Sequence, residues 1–121
     1  MVNPNGTPIW YELLTADPDA SKAFYDHVIG WTIDATPPMP GMDYRMINTP
    51  GDSQVGGVMR LTDDMAANGA KPTWLFYIGV HDVDATVDKL KANGGSVHLP
   101  PWEIPDVGRM AMVADPQGIP F

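Results

Sequence analysis

One stretch of this chain is used twice. Thr73 to Gly95, TWLFYIGVHDVDATVDKLKANGG, aligns without a gap on the stretch 65 positions earlier, Pro8 to Gly30, PIWYELLTADPDASKAFYDHVIG. Asp17 falls on Asp82, Asp19 on Asp84, Ala20 on Ala85 and Gly30 on Gly95. Each copy opens with an apolar run rich in aromatic and β-branched residues, reaches an aspartate suited to cap a helix, and continues with apolar residues at helical spacing. These are Ala20, Phe24 and Val28 in the first copy, and Val83, Val87 and Leu90 in the second. A duplicated strand-to-helix unit is therefore the frame into which the rest of the chain must fit.

Around that frame the sequence predicts a first module over residues 8–61, a linker over 62–72 and a second module over 73–121, together one domain. Strand one is expected over Pro8–Thr15, with Trp10, Glu12 and Leu14 sharing one face. Asp17-Pro18 starts a helix that Gly30 closes. Strands follow over Trp31–Ala35, Tyr44–Asn48 and Gln54–Leu61, with the proline run of residues 37–42 as a loop between the first two. The linker TDDMAANGAK shows no strand pattern. The second module repeats the plan: strand Trp74–Val80, helix Val83–Asn93, strand Ser96–Leu99, a proline loop over residues 100–105, strand Arg109–Ala114, and a truncated last strand at Ile119–Phe121.

Composition narrows the chemistry. With no cysteine, disulfides, thiolate metal sites and a cysteine nucleophile are all excluded. The net charge of -8, from 15 acidic against 7 basic residues, disfavours nucleic acid and anionic membrane and suits a neutral or cationic ligand. No apolar run is long enough to span a bilayer, and a cytoplasmic protein is expected. Eight methionines and four tryptophans fit an adaptable apolar pocket as well as a core.

Two consecutive β-α-β-β-β modules, with FYDHVIGW closing the first helix, DPQG before the last strand and Trp10-Tyr11-Glu12-Leu13 in the first strand, resemble the vicinal oxygen chelate superfamily. This is the fold of glyoxalase I, bleomycin-resistance proteins and extradiol dioxygenases, and the closest resemblance is to small bacterial glyoxalase-like proteins. The resemblance implies an α+β fold whose curved mixed sheets form half-barrels around the site. It also implies a homodimer. Its metal-dependent members carry ligands at positions that match Trp10, about Gly57 and Leu75 here, and none of these three can bind a metal. Neither a metal nor another cofactor is therefore expected. His27, His81 and His98 have no metal-ligand spacing.

Glu12 is the charged residue inside an apolar strand, and its repeat mate is Tyr77. On the half-barrel face, desolvation would raise the Glu12 pKa and ready the carboxyl for proton transfer, with Tyr77 as hydrogen-bond donor and Arg109 as partner of Glu12 or of an anionic ligand. Trp10, Leu14, Met59, Leu75 and Trp102 are expected to line the cavity. Three functions stay open: metal-independent binding of a small, largely apolar, neutral or cationic molecule; a metal-independent lyase or isomerase with Glu12 as general base; and a metal-dependent lyase or dioxygenase.

Overall fold

A computed structural model describes residues 3–121, in two compact units: Ile9–Tyr77, and residues 3–8 together with 78–121. The elements in order are β1 (Thr7–Thr15), α1 (Pro18–Ile29), β2 (Thr32–Ile33), β3 (Tyr44–Asn48), β4 (Gln54–Arg60), α2 (Asp63–Ala67), β5 (Thr73–Gly79), α3 (Val83–Ala92), β6 (Ser96–Ile104) and β7 (Gly108–Ala114). The class is α+β, with mixed sheets.

In the first unit the sheet order is β2-β3-β4-β1-β5. β1 runs parallel to β4, while β3 is antiparallel to both β2 and β4. The four strands of the first module are thus neighbours, and β5, the repeat mate of β1, extends the same sheet beside it. Leu13, Ile33, Ile47 and Val58 form the core, with Tyr25 of α1 and Trp31 packed against it. Trp31 lies over Tyr25 at 5.6 Å between ring centroids, and the Trp74 indole N–H donates to the Tyr25 hydroxyl at 3.2 Å, tying α1 to β5. Because side chains alternate along a strand, Leu13 and Val58 on the helix side put Trp10, Glu12, Gly57 and Met59 on the other side.

Helix starts match the duplication. The Asp17 carboxylate accepts from the Ala20 amide and Asp82 from the Ala85 amide, both at 3.0 Å, and Pro18 stands at the first helical position where no amide donor is needed. Gly30 closes α1 in the left-handed region at φ 87°, where a side chain would be strained. A second repeated feature was not expected. Asp19 pairs with Arg45 at 2.7 Å, and Asp84 pairs with Arg109 at 2.6 Å, so each helix is tethered through its first turn to a strand of its own unit.

The linker, expected to lack strand, holds a short helix instead: Thr62 accepts from the Met65 amide at 3.2 Å and caps α2, a signal hidden in an otherwise polar run. Two expectations are corrected. The prolines at 100 and 101 do not make a loop. They lie inside β6, where the pairing with β7 shifts register between Val97 and Leu99 and again between Leu99 and Trp102, so the ladder is interrupted where proline has no amide to give. β2 is also shorter than expected, because the Asp34 carboxylate takes the Met46 amide at 3.1 Å and ends the strand.

In the second unit α3 packs on β6 and β7, with Val87, Val113 and Ala114 buried. Phe121 exchanges backbone hydrogen bonds with Val113 at 2.9 and 3.0 Å around an isolated bridge between Ala114 and Pro120, where a strand was expected at Ile119–Phe121.

The sheet depends on Gly56, whose missing Cβ would collide with the backbone carbonyl of Tyr11 on the parallel neighbour β1. Gly56→Ala is expected to cost about 1–3 kcal/mol, the usual penalty of overpacking, in urea unfolding. Gly51→Ala, where the added carbon meets nothing within 4 Å, is the control and should leave the midpoint nearly unchanged.

Candidate functional site

β1, β4 and β3 bring together the side chains around Glu12. In the strand register Glu12 stands opposite Gly57, Leu14 opposite Met59, Met59 opposite Tyr44, and Gly57 opposite Met46. Glu12 is only 5% exposed, and a carboxyl so buried requires hydrogen-bond partners. Tyr77 supplies one: its hydroxyl lies 3.2 Å from both carboxylate oxygens. The two residues are 65 apart, so the bond joins Glu12 to its own repeat mate.

Tyr44 stands beside Glu12. The Trp10 indole N–H donates to the Tyr44 hydroxyl oxygen at 2.7 Å, and that hydroxyl is near enough to the Glu12 carboxyl to lower its pKa, less than Tyr77 does. Gly57 makes this possible. A Cβ at position 57 would run into the Tyr44 ring, so the ring lies across the sheet at a residue without a side chain. Sequence reading took Tyr44 only as the start of a strand, and its signal was the Gly56-Gly57 pair: a backbone left bare on both faces leaves room for a neighbouring aromatic ring.

Burial pushes the Glu12 carboxyl above the ordinary glutamate range, while the hydroxyls of Tyr77 and then Tyr44 pull it back. Burial likewise drives both tyrosine hydroxyls upward, and the Glu12 charge adds to this, so both stay protonated donors.

The other expected site residues divide. Leu14 is buried and Met59 half-buried, both beside this network. Leu75 is buried and lines a hollow of ≈ 420 Å³ with Tyr11, Trp31, Ile47, Val55, Trp74 and Phe76. Trp102 pairs with Met110 in the second unit. The expected pairing of Arg109 with Glu12 is corrected: Arg109 forks onto Asp84 at 2.6 and 2.8 Å and lies 3.6 Å from Glu103. The carboxylate at the start of α3 accepts from two nitrogens of that guanidinium, and Asp19 at the start of α1 holds Arg45 in the first unit.

These residues do not fit a divalent cation. Gly57 brings no side chain, the Trp10 nitrogen is a donor already given to Tyr44, and among the described residues no three carboxylates or imidazoles converge.

Comparison with known proteins places this geometry in context. The model of the Glyoxalase/Bleomycin resistance protein/Dioxygenase superfamily matches residues 8–121. CFP32 of Mycobacterium tuberculosis, whose name provisionally assigns it to the glyoxylases, is 43% identical over 121 residues, covering 100% of this chain and 44% of that protein. The anthracycline biosynthesis protein DauV of a Streptomyces species is 29% identical over 126 residues, covering 96% of this chain and 46% of that protein. The chain thus spans less than half the length of these two relatives. Among solved structures, methylmalonyl-CoA epimerase of Streptomyces coelicolor, in complex with 2-nitronate-propionyl-CoA, superposes with a TM-score of 0.63 at 19% identity, covering 97% of this chain and 92% of that one. At that identity the similarity is one of fold.

The raised pKa of Glu12 has a sign. The folded state holds this proton more tightly than the unfolded chain, so the contribution favours folding in acid and is lost as pH rises through the folded pKa. Asp19 and Asp84, held down by Arg45 and Arg109, act oppositely, and their contribution fades on acidification. The stability of the parent protein minus that of Glu12→Gln should therefore decline as pH rises above the ordinary glutamate range in parallel denaturant titrations. A difference that grows with pH would contradict the burial-dominated shift.

Proposed function

The chain belongs to the Glyoxalase/Bleomycin resistance protein/Dioxygenase superfamily, and on that premise we propose that it binds a small, largely apolar, neutral or cationic organic molecule on the Glu12 face, without a metal. The observation that carries this reading is the Glu12 carboxyl, buried and held by the Tyr77 hydroxyl, with Leu14, Met46 and Met59 beside it in the strand register. One fixed acceptor set in an apolar surround is the usual composition of a small-molecule site, where the polar group orients the ligand and the wall supplies burial.

A second reading has its own support. The carboxyl of Glu12 lies above the ordinary range, as suits a general base that removes a proton beside a carbonyl, with the Tyr77 hydroxyl near the developing oxyanion. The name of the methylmalonyl-CoA epimerase is consistent with such chemistry on this fold, and the reading for this chain rests on Glu12 and Tyr77.

Native mass spectrometry of gently purified protein is expected to show an organic adduct that denaturation releases. Zinc, nickel or manganese should leave the melting temperature unchanged, because a ligand stabilises the native state only by binding it preferentially. Glu12→Gln separates the two readings: under the binding reading it changes affinity alone, and under the base reading it abolishes turnover while the ligand still binds. A tightly held stoichiometric metal with Glu12 among its ligands would reject both.

A further inference from the structure

On the helix side of the first unit's sheet, one row of side chains lacks its middle. Tyr11, Gly56 and Ile47 stand opposite one another across β1, β4 and β3, and the glycine between them brings no side chain to the row. The next row on that side, Leu13, Val58 and Arg45, is complete and buried. The hollow of ≈ 420 Å³ has Tyr11 and Ile47 of the incomplete row in its wall, together with Trp31, Val55 and the Trp74–Phe76 segment of β5. Trp31 and Val55 pack on the core of Leu13, Ile47 and Val58, and Glu12 alternates with Tyr11 and Leu13, so the hollow and Glu12 lie on opposite sides of the sheet.

The two indoles of this wall are held in place. Trp31 stacks on Tyr25 at 5.6 Å, while Trp74 meets the same ring edge-on at 5.5 Å and gives its N–H to the Tyr25 hydroxyl at 3.2 Å. The indoles stand 6.1 Å apart, inclined at 69°. Rings fixed before a ligand arrives lose little freedom when it binds. The hollow is open to solvent at its rim, where Tyr11 is 47%, Phe76 43% and Trp74 41% exposed, and Ile47 is fully buried beneath. Its volume falls in the range of small-molecule sites, about 300–1,000 Å³. No charged side chain lines it, so a charged ligand would give up hydration there with no opposite charge in return.

We infer that this hollow is a second small-molecule site, separate from the Glu12 face, which takes a flat, uncharged aromatic ring system. A flat ring set against Trp31, Trp74 and Phe76 meets ring faces and edges, and aromatic contacts of this kind add to apolar burial what a saturated ring of the same size does not gain. The site does not depend on the Glu12 reading, and either can fail alone.

The probes are 2-naphthalenemethanol, its fully saturated decahydro analogue, 2-naphthylmethylammonium and 2-naphthoate, each titrated into the wild-type chain at neutral pH. Indole N–H signals in NMR locate binding: Trp31 and Trp74 report the hollow, and Trp10 reports the Glu12 face. The naphthyl alcohol should move the Trp31 and Trp74 signals and leave Trp10 in place. The saturated alcohol should bind about three- to tenfold more weakly, as should the naphthyl alcohol to Phe76→Ala, and both charged probes more weakly again. The wild-type titrations decide the matter even if that variant does not fold. A saturated probe that binds as tightly as the aromatic one, or a charged probe that does so, overturns the ligand class. A naphthyl alcohol that moves Trp10 alone, or none of the three signals, overturns the site and leaves the Glu12 reading standing. Trp31 and Trp74 signals that shift on raising the protein concentration without any probe would make the hollow a contact between copies, which also overturns it.

Discussion

A glutamate with only 5% of its surface exposed is costly to bury, and the arrangement around Glu12 is the means by which this chain tolerates one. The Tyr77 hydroxyl reaches it from β5, and Tyr44 stands beside it from β3, fixed by the Trp10 indole one alternation earlier on β1. For these donors to converge, β5 must lie beside β1 and β4 must carry no side chain at position 57. The strand order and the glycine pair are thus conditions of the site as much as of the sheet.

The glycines separate the two faces of β4. Gly56 permits the close approach of the β1 backbone, and Gly57 permits the Tyr44 ring. The helix side of the same sheet is packed conventionally by Leu13, Ile33, Ile47 and Val58, with Tyr25 and Trp31 fastening α1. Packing on that side fixes the register, and register decides which residues meet Glu12, since a slip of one position would turn the whole strand over.

Much of this was legible in the sequence, because the duplication made each half evidence for the other. Asp17 and Asp82 cap as expected, Tyr44–Asn48 is a strand with the expected bounds, and Glu12 meets its repeat mate Tyr77. What escaped depended on contacts that spacing does not encode. Arg109 prefers Asp84 because the fold brings the start of α3 to β7, and no local pattern announces that. The prolines of β6 read as loop because the bulges that accommodate them exist only once β7 is paired alongside. Tyr44 went unnoticed because a glycine records the room it leaves but not the ring that fills it.

The central claim is that Glu12 is held between burial, which raises its pKa, and two tyrosine hydroxyls, which lower it. The chain contains only two glutamates, Glu12 and the exposed Glu103, so ¹³C labelling of glutamate side-chain carboxyls gives two signals with an internal reference. Following both through a pH titration, in the parent chain and in Tyr77→Phe, measures the balance directly. Glu12 is predicted to titrate above the ordinary glutamate range, and to move higher still when the Tyr77 hydroxyl is removed. A Glu12 signal that titrates within the ordinary glutamate range, or that does not respond to loss of the hydroxyl, would contradict the account.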